Sequence, residues 1–196
     1  MKFIIVGHHC SGKQEILDLL EQWGANCGHL FSDLDEASSE IYNSHNYELY
    51  SPQEIHTIFE NNAYIFIHEV QCRACTNAYK HYEGLSFYDY DNNDVFALSP
   101  DQITEIPTNV DLGDVCFVWL DNTEHNREVR YRDEQRAYNF REREEVEKQD
   151  LEYFVKYICE KPIIYFTNED PIRVATIIDA CLKHPDLTSE FIQNFS

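Results

Sequence analysis

The sequence predicts an α/β fold, a parallel sheet flanked by helices. Three observations lead there. Short β-branched apolar runs of strand length alternate with segments of helical periodicity. The first run passes directly into a glycine loop and then a helix. The chain has 196 residues, 43% hydrophobic and 26% charged, which is long and apolar enough to bury a core without disulfide or metal staples.

Residues 2–6 (KFIIV) lack polar alternation, the pattern of a strand buried on both faces. Over 13–23, Ile16, Leu17, Leu19, Leu20 and Trp23 recur at spacings of three and four and make one helical face, with Gly24 as its stop. Residues 25–93 are less regular and rich in Tyr, Asn, Ser and His. Within them, Ser51-Pro52-Gln53-Glu54 reads as a helix N-terminus: Ser51 caps, Pro52 takes the first position, and Glu54 returns the bond. AYIFI (63–67) and the segment around LSFYDY (85–90) read as strands. DVFALS (94–99) and DVCFVWL (114–120) are further buried-type strands. The polar stretch 121–161 is helical in composition, clearest at REREEVEKQDLEYFVKYI. IIYFT (163–167) reads as a last buried strand, and Pro171 opens a closing helix over 171–182. The stretch 32–90 breaks the alternation and reads as an inserted subdomain over a ligand cleft.

The most specific signal is Gly7-His8-His9-Cys10-Ser11-Gly12-Lys13, a match to G-x-x-x-x-G-K between a predicted strand and a predicted helix. Glycines let backbone approach a phosphate closely, and successive N–H groups with the helix N-terminus cradle the anion. Lys13 then reaches the β- and γ-phosphates. This is the signature of the P-loop NTPase fold. It makes Gly7, His8, His9, Cys10, Ser11, Gly12, Lys13 and Gln14 the candidate ATP-binding residues. Position 14 departs from the pattern: a Ser or Thr hydroxyl there ligates Mg²⁺, and this chain has Gln14. An amide oxygen reaches a metal or its water only in a different geometry. The departure leaves open a loop that binds nucleotide without turning it over.

A net charge of −21 argues against a nucleic acid polymer as partner and against docking on anionic membranes. It is compatible with a small phosphorylated ligand held at a locally basic site. Seven cysteines at irregular spacings, no signal-peptide pattern at the start and no apolar run of transmembrane length predict a cytoplasmic protein with reduced thiols.

Several of these segments, in order, resemble guanylate kinases. GHHCSGKQ resembles that family's phosphate loop. YELYSPQEIHTIFENNAYIFIHEV (47–70) resembles its acceptor-binding segment, which closes on a glutamate, here Glu69. HYEGLS (81–86) is similar to its Tyr-Gly-Thr/Ser element, with Tyr82 and Ser86 as polar members. NDVFALSPDQI (93–103) lies where the family has a strand ending in an aspartate, here Asp101. REVRYRDEQRAYNFRERE (127–144) resembles its arginine-bearing lid, with Arg132 and Arg143 near the family's interval, and TNEDPIRVATIIDACL (167–182) its closing turn and helix.

The resemblance implies a single P-loop kinase domain: a core of about 1–31 and 93–184, an inserted acceptor-binding subdomain of about 32–92, and a lid of about 125–145. It implies ATP with Mg²⁺ as cofactors and a small-molecule nucleoside monophosphate as partner. Lys13, Arg132, Arg136 and Arg143 would be catalytic cations. Ser32, Tyr47, Glu69, Tyr82, Ser86 and Asp101 would bind the acceptor. The family grips its acceptor's phosphate with arginines after the first helix; FSDLDEASSE (31–40) has none and four acids. Deoxynucleotide kinases with altered acceptor sites, such as those phages carry, fit this pattern better than a housekeeping guanylate kinase, and Tyr42, Tyr47 and Tyr50 are alternative grips. A noncatalytic module of the same fold, binding a nucleotide or a protein, is the competing reading.

Other constellations stay open. The lid arginines serve phosphate or pair with acids on a solvated helix. His68, Cys72, Cys75 and His81 offer a zinc-like Cys-x-x-Cys or two reduced cysteines; no metal-ligating residue is assigned. His8 and His9 touch phosphate or are exposed. The tyrosines of 42–90 stack a base or form a small core.

Overall fold

The computed structural model describes residues 1–33, 47–71, 80–133, 140–141, 144–145, 148, 161–167, 170–186, 188 and 192. Arg136, Arg143, Tyr42, Cys72 and Cys75 lie outside the described residues, as do 34–40 of the acidic run, 41–46 after it, and most of the expected helix after Arg143.

Strand β1 (Lys2–Gly7) is the axis of a parallel five-stranded sheet. Phe3, Ile4, Ile5 and Val6 are each at most 1% exposed, as an uninterrupted apolar run predicts. The sheet's order is β2 (Cys27–Gly28), β7 (Val95–Leu98), β1, β8 (Val115–Asp121), β9 (Ile163–Thr167). Every pairing is parallel, with Phe3 opposite both Val95 and Cys116. On one face Phe3 and Ile5 pack with Ile16, Leu17 and Leu20 of α1 (Lys13–Gln22) and Val174, Ala175 and Ile178 of α6 (Pro171–Lys183). On the other, Ile4 and Val6 pack with Phe66, Leu85, Leu98, Ile103 and Phe117.

That second layer includes a four-stranded mixed sheet ordered β4 (Tyr47–Leu49), β3 (Leu30–Ser32), β6 (Lys80–Ser86), β5 (Tyr64–Gln71). Helix α2 (Pro52–Glu60) follows β4 and has the expected capping box: Ser51 N donates to Glu54 Oε2 at 2.7 Å, and Glu54 N to Ser51 Oγ at 3.3 Å. Only His29 separates β2 from β3, so the chain passes from one sheet to the other in a single residue. Its ring bonds Glu21 of α1, Nε2 to Oε1, at 2.7 Å. Gly28 lies under Phe96, and a Cβ there would come within 2.1 Å of that ring.

The segment 85–90 differs from expectation. Strand β6 stops at Ser86, and Phe87–Asn92 is a short helix, α3. Ser86 is its cap, its hydroxyl accepting from Asp89 N at 2.9 Å and donating to the Asp89 carboxylate. A local side-chain bond thus overrides the strand propensity of Phe and Tyr. Among the described residues no helix is long and apolar enough to cross a membrane.

Candidate functional site

The glycine loop leaves β1 at the carboxyl end of the sheet's central strand and runs into α1, where ligands bind in open parallel sheets. Gly12 takes φ +93° and Cys10 φ +55°, so two residues of the turn are left-handed. Gly7 has no room for a side chain: a Cβ would meet Ser11 Oγ at 2.6 Å and Leu120 O at 2.9 Å. The Ser11 hydroxyl is buried inside the turn, without a hydrogen-bond partner among the described residues. Lys13 folds back across the loop, its Nζ donating to Gly7 O at 2.6 Å and His8 O at 2.9 Å. These bonds hold the ammonium against the loop backbone.

The loop is braced from β8 and the helix after it, α5 (Glu124–Asp133). Asn122 Nδ2 donates to Ser11 O at 2.6 Å, and Arg127 Nε donates to Asn122 O at 3.1 Å. The loop histidines are ring-packed: His8 lies edge-on to Trp119 at 5.8 Å, and His9, 9% exposed, packs on Phe140 at 4.8 Å.

Among the described arginines of the 127–132 stretch, Arg130 meets the loop. Its guanidinium lies 3.0–3.5 Å from where a Gly12 Cβ would stand, and Nη1 donates to Glu15 Oε2 at 2.7 Å. Arg132 turns elsewhere; it is 70% exposed and bonds Glu128 at 2.8 Å. Helical phase explains this, because residues two apart point to nearly opposite sides while Arg127 and Arg130, three apart, share one. The sequence reading identified the arginine-rich segment but not Arg130, Asn122 or Arg127 as loop contacts. An i, i+3 phase test on 127–132 was the available signal.

The loop's side chains do not fit an ordinary Mg²⁺ site. Gln14 Nε2 donates to Asp18 Oδ1 at 2.6 Å along the surface of α1, and the Ser11 hydroxyl faces inward. Among the described residues no group of three or more His, Cys, Asp or Glu side chains could hold a metal.

The six acceptor candidates do not form one cluster. Paired residues of a sheet share a face, and the register puts Ser32 opposite Glu83 but Tyr82 opposite Glu69. On the first face Tyr47 Oη donates to Glu83 Oε2 at 2.6 Å, and Gln102 Nε2 donates to Glu83 Oε1 at 2.7 Å. Ser32 is fully buried there, and Glu83 is 7% exposed. On the opposite face Tyr82 Oη donates to Glu69 at 3.4 Å, and Tyr82 meets Phe59 of α2 edge-on at 5.7 Å. Ser86 is committed to its helix cap. Asp101 lies in the first turn of α4 (Pro100–Thr104), beyond the end of β7 at Leu98. Sequence reasoning missed Glu83, since nothing local marks a buried acid whose partners lie 36 and 19 residues away. His81 on the same face is 4% exposed, and burial lowers its imidazole below 6.5; Glu83 and Asp33 pull it back, while His68 adds to the lowering.

A parallel five-stranded sheet flanked by helices, with a glycine-lysine loop at the end of its central strand, defines a mixed α/β protein. No protein-family model and no curated protein matches the chain. Among solved structures it is similar to the guanylate kinase from Anaplasma phagocytophilum, over 94% of this chain and 85% of that one, at 9% identity and a TM-score of 0.47. A likeness of that size assigns neither a residue role nor an activity.

Proposed function

We propose that this chain binds a nucleoside triphosphate at Gly7–Lys13 and transfers its γ-phosphoryl group to a nucleoside or deoxynucleoside monophosphate. The observation that carries this reading is the convergence of Lys13 and Arg130 on a left-handed glycine turn at the end of the central strand. In such a transfer the bond from the γ-phosphorus to the β–γ bridging oxygen breaks. A bond from that phosphorus to an acceptor phosphate oxygen forms, and the nucleoside diphosphate leaves. The protein's share is positioning and charge neutralisation. Lys13 and Arg130 supply the charge on the donor side. On the acceptor side, the Tyr47–Glu83–Gln102 cluster supplies a buried carboxylate that suits a hydrogen-bond-donating base edge rather than a phosphate. The acceptor subdomain and the lid belong to this reading.

The test is nucleoside diphosphate production from ATP against a panel of ribo- and deoxynucleoside monophosphates, with Lys13→Ala as control. Turnover with one or a few acceptors, lost in the variant, supports the kinase. The Gln14–Asp18 bond favours the second reading, a noncatalytic nucleotide-binding module; measurable ATP binding without turnover on any acceptor selects it.

A further inference from the structure

We infer that the loop holds its polyphosphate without a divalent metal, with Arg130 standing where a hydroxyl-bound cation would otherwise supply the second positive charge. The inference rests on the triphosphate-binding reading and adds to it how charge is balanced.

Position 14 follows the loop lysine, so its side chain emerges in the first turn of α1 at the phosphate-facing end. A Ser or Thr hydroxyl there is short, stays beside the phosphates and accepts a metal. Gln14 is longer, and its amide nitrogen is committed to Asp18 one turn along the helix. That bond draws the side chain down the helix flank and away from the loop. The remaining hydroxyl of the turn, on Ser11, is buried beneath Gly7. Neither side chain presents a hydroxyl beside the phosphates for a small octahedral cation.

Arg130 approaches from α5. Its Nη1, Cζ and Nη2 lie 3.0, 3.4 and 3.5 Å from where a Gly12 Cβ would stand. Glu15, the third residue of α1, fixes the head through Nη1 at 2.7 Å. Side-chain exposure is 31% for Arg130 and 54% for Glu15, so the pair lies at the surface and yields readily to a stronger anion. A guanidinium is permanently charged and presents a planar fork of donors that matches phosphate oxygens. With Lys13 on the loop rim, two fixed cations face the anion site.

The experiment is equilibrium binding of ATP to the full chain, by calorimetry, at one ionic strength in excess Mg²⁺ and in excess EDTA. It is run on the native chain, Arg130→Ala, Arg130→Lys and Gln14→Ser. The native affinity is expected to change by less than about threefold between the two conditions. Arg130→Ala is expected to weaken binding in EDTA by about ten- to a hundredfold, with Arg130→Lys recovering part of the loss. Gln14→Ser is expected to bind more tightly in Mg²⁺ than in EDTA. A native affinity that falls by more than about tenfold in EDTA overturns the inference and leaves the loop assignment standing. So does Arg130→Ala binding like the native chain. No ATP binding in either condition overturns the loop assignment and this inference with it.

Discussion

Arg127 and Glu144 meet fork to fork, Nη1 to Oε1 at 2.8 Å and Nη2 to Oε2 at 2.7 Å, with side chains 6% and 3% exposed. Through Asn122 the arginine is bonded onward to the carbonyl of Ser11, so a buried ion pair sits behind the glycine loop. Burial by itself would raise the Glu144 carboxyl. The Arg127 bonds and charge, with smaller help from His8 and His9, outweigh it and hold the group below its ordinary 4.5.

Glu144→Ala strands a buried guanidinium and is expected to destabilise the fold by about 3–5 kcal/mol, read from urea unfolding. The pH dependence has a definite sign. A depressed folded-state value means that Glu144 contributes fully above 4.5 and loses its contribution as pH falls through the lower folded value. Glu144→Gln should therefore flatten the acid limb of stability below 4.5; an acid limb identical to the native one would contradict the pairing.

Lys13→Ala removes the ammonium that crosses the loop while leaving both cores intact. Under the proposed reading ATP affinity should fall by about ten- to a hundredfold, the worth of a charge-assisted bond. The melting temperature should stay close to the native value. Unchanged affinity in the folded variant would sink the loop assignment.

The sheet was legible because β1, β7 and β8 are buried strands whose apolar runs announce themselves without reference to distant residues, whereas β9, expected to be buried, is the sheet's edge and leaves Tyr165 57% exposed. The glycine loop was legible for the same reason, since its strand, turn and helix are contiguous. Strand β6, KHYEGLS, was not: it carries a buried glutamate that accepts from Tyr47 and Gln102, both distant in sequence. Arg130 was obscured among neighbouring arginines, because the eleven-residue interval to Arg143 favoured Arg132 whereas helical phase points Arg132 outward. Ser86, an acceptor candidate by resemblance, caps α3 through Asp89 three residues on.

His81 is held below 6.5 chiefly by burial. The unfolded chain therefore takes up the proton first, and stability should fall as pH drops from 6.5 toward the lower folded value. Urea midpoints measured across that interval should slope downward with acid in the native chain. The slope should lessen in His81→Phe, and an unchanged slope would assign the effect to another group.

Thiol reactivity separates the loop from the core. Cys27 and Cys116 are buried, and burial, with nearby acids and for Cys116 also Cys181, pushes each thiol up to about 12. Cys10 is half-buried in the loop itself. Alkylation followed by mass spectrometry should label Cys10 well before Cys27 or Cys116. Saturating ATP should slow labelling at Cys10, and its failure to do so, with ATP demonstrably bound, would move the nucleotide away from this turn.

The single-residue passage at His29 has a mechanical consequence. The chain crosses between the sheets a second time through α3, from Ser86 to Val95. These two crossings tie the sheets together covalently, the shorter of them through one residue. His29 has only two torsions to give, and its ring is tethered to Glu21 on the helix that the glycine loop begins. Any rocking of one sheet against the other would therefore tug on α1, so the stiffness of this one joint bears on the posture of the loop at the helix's other end.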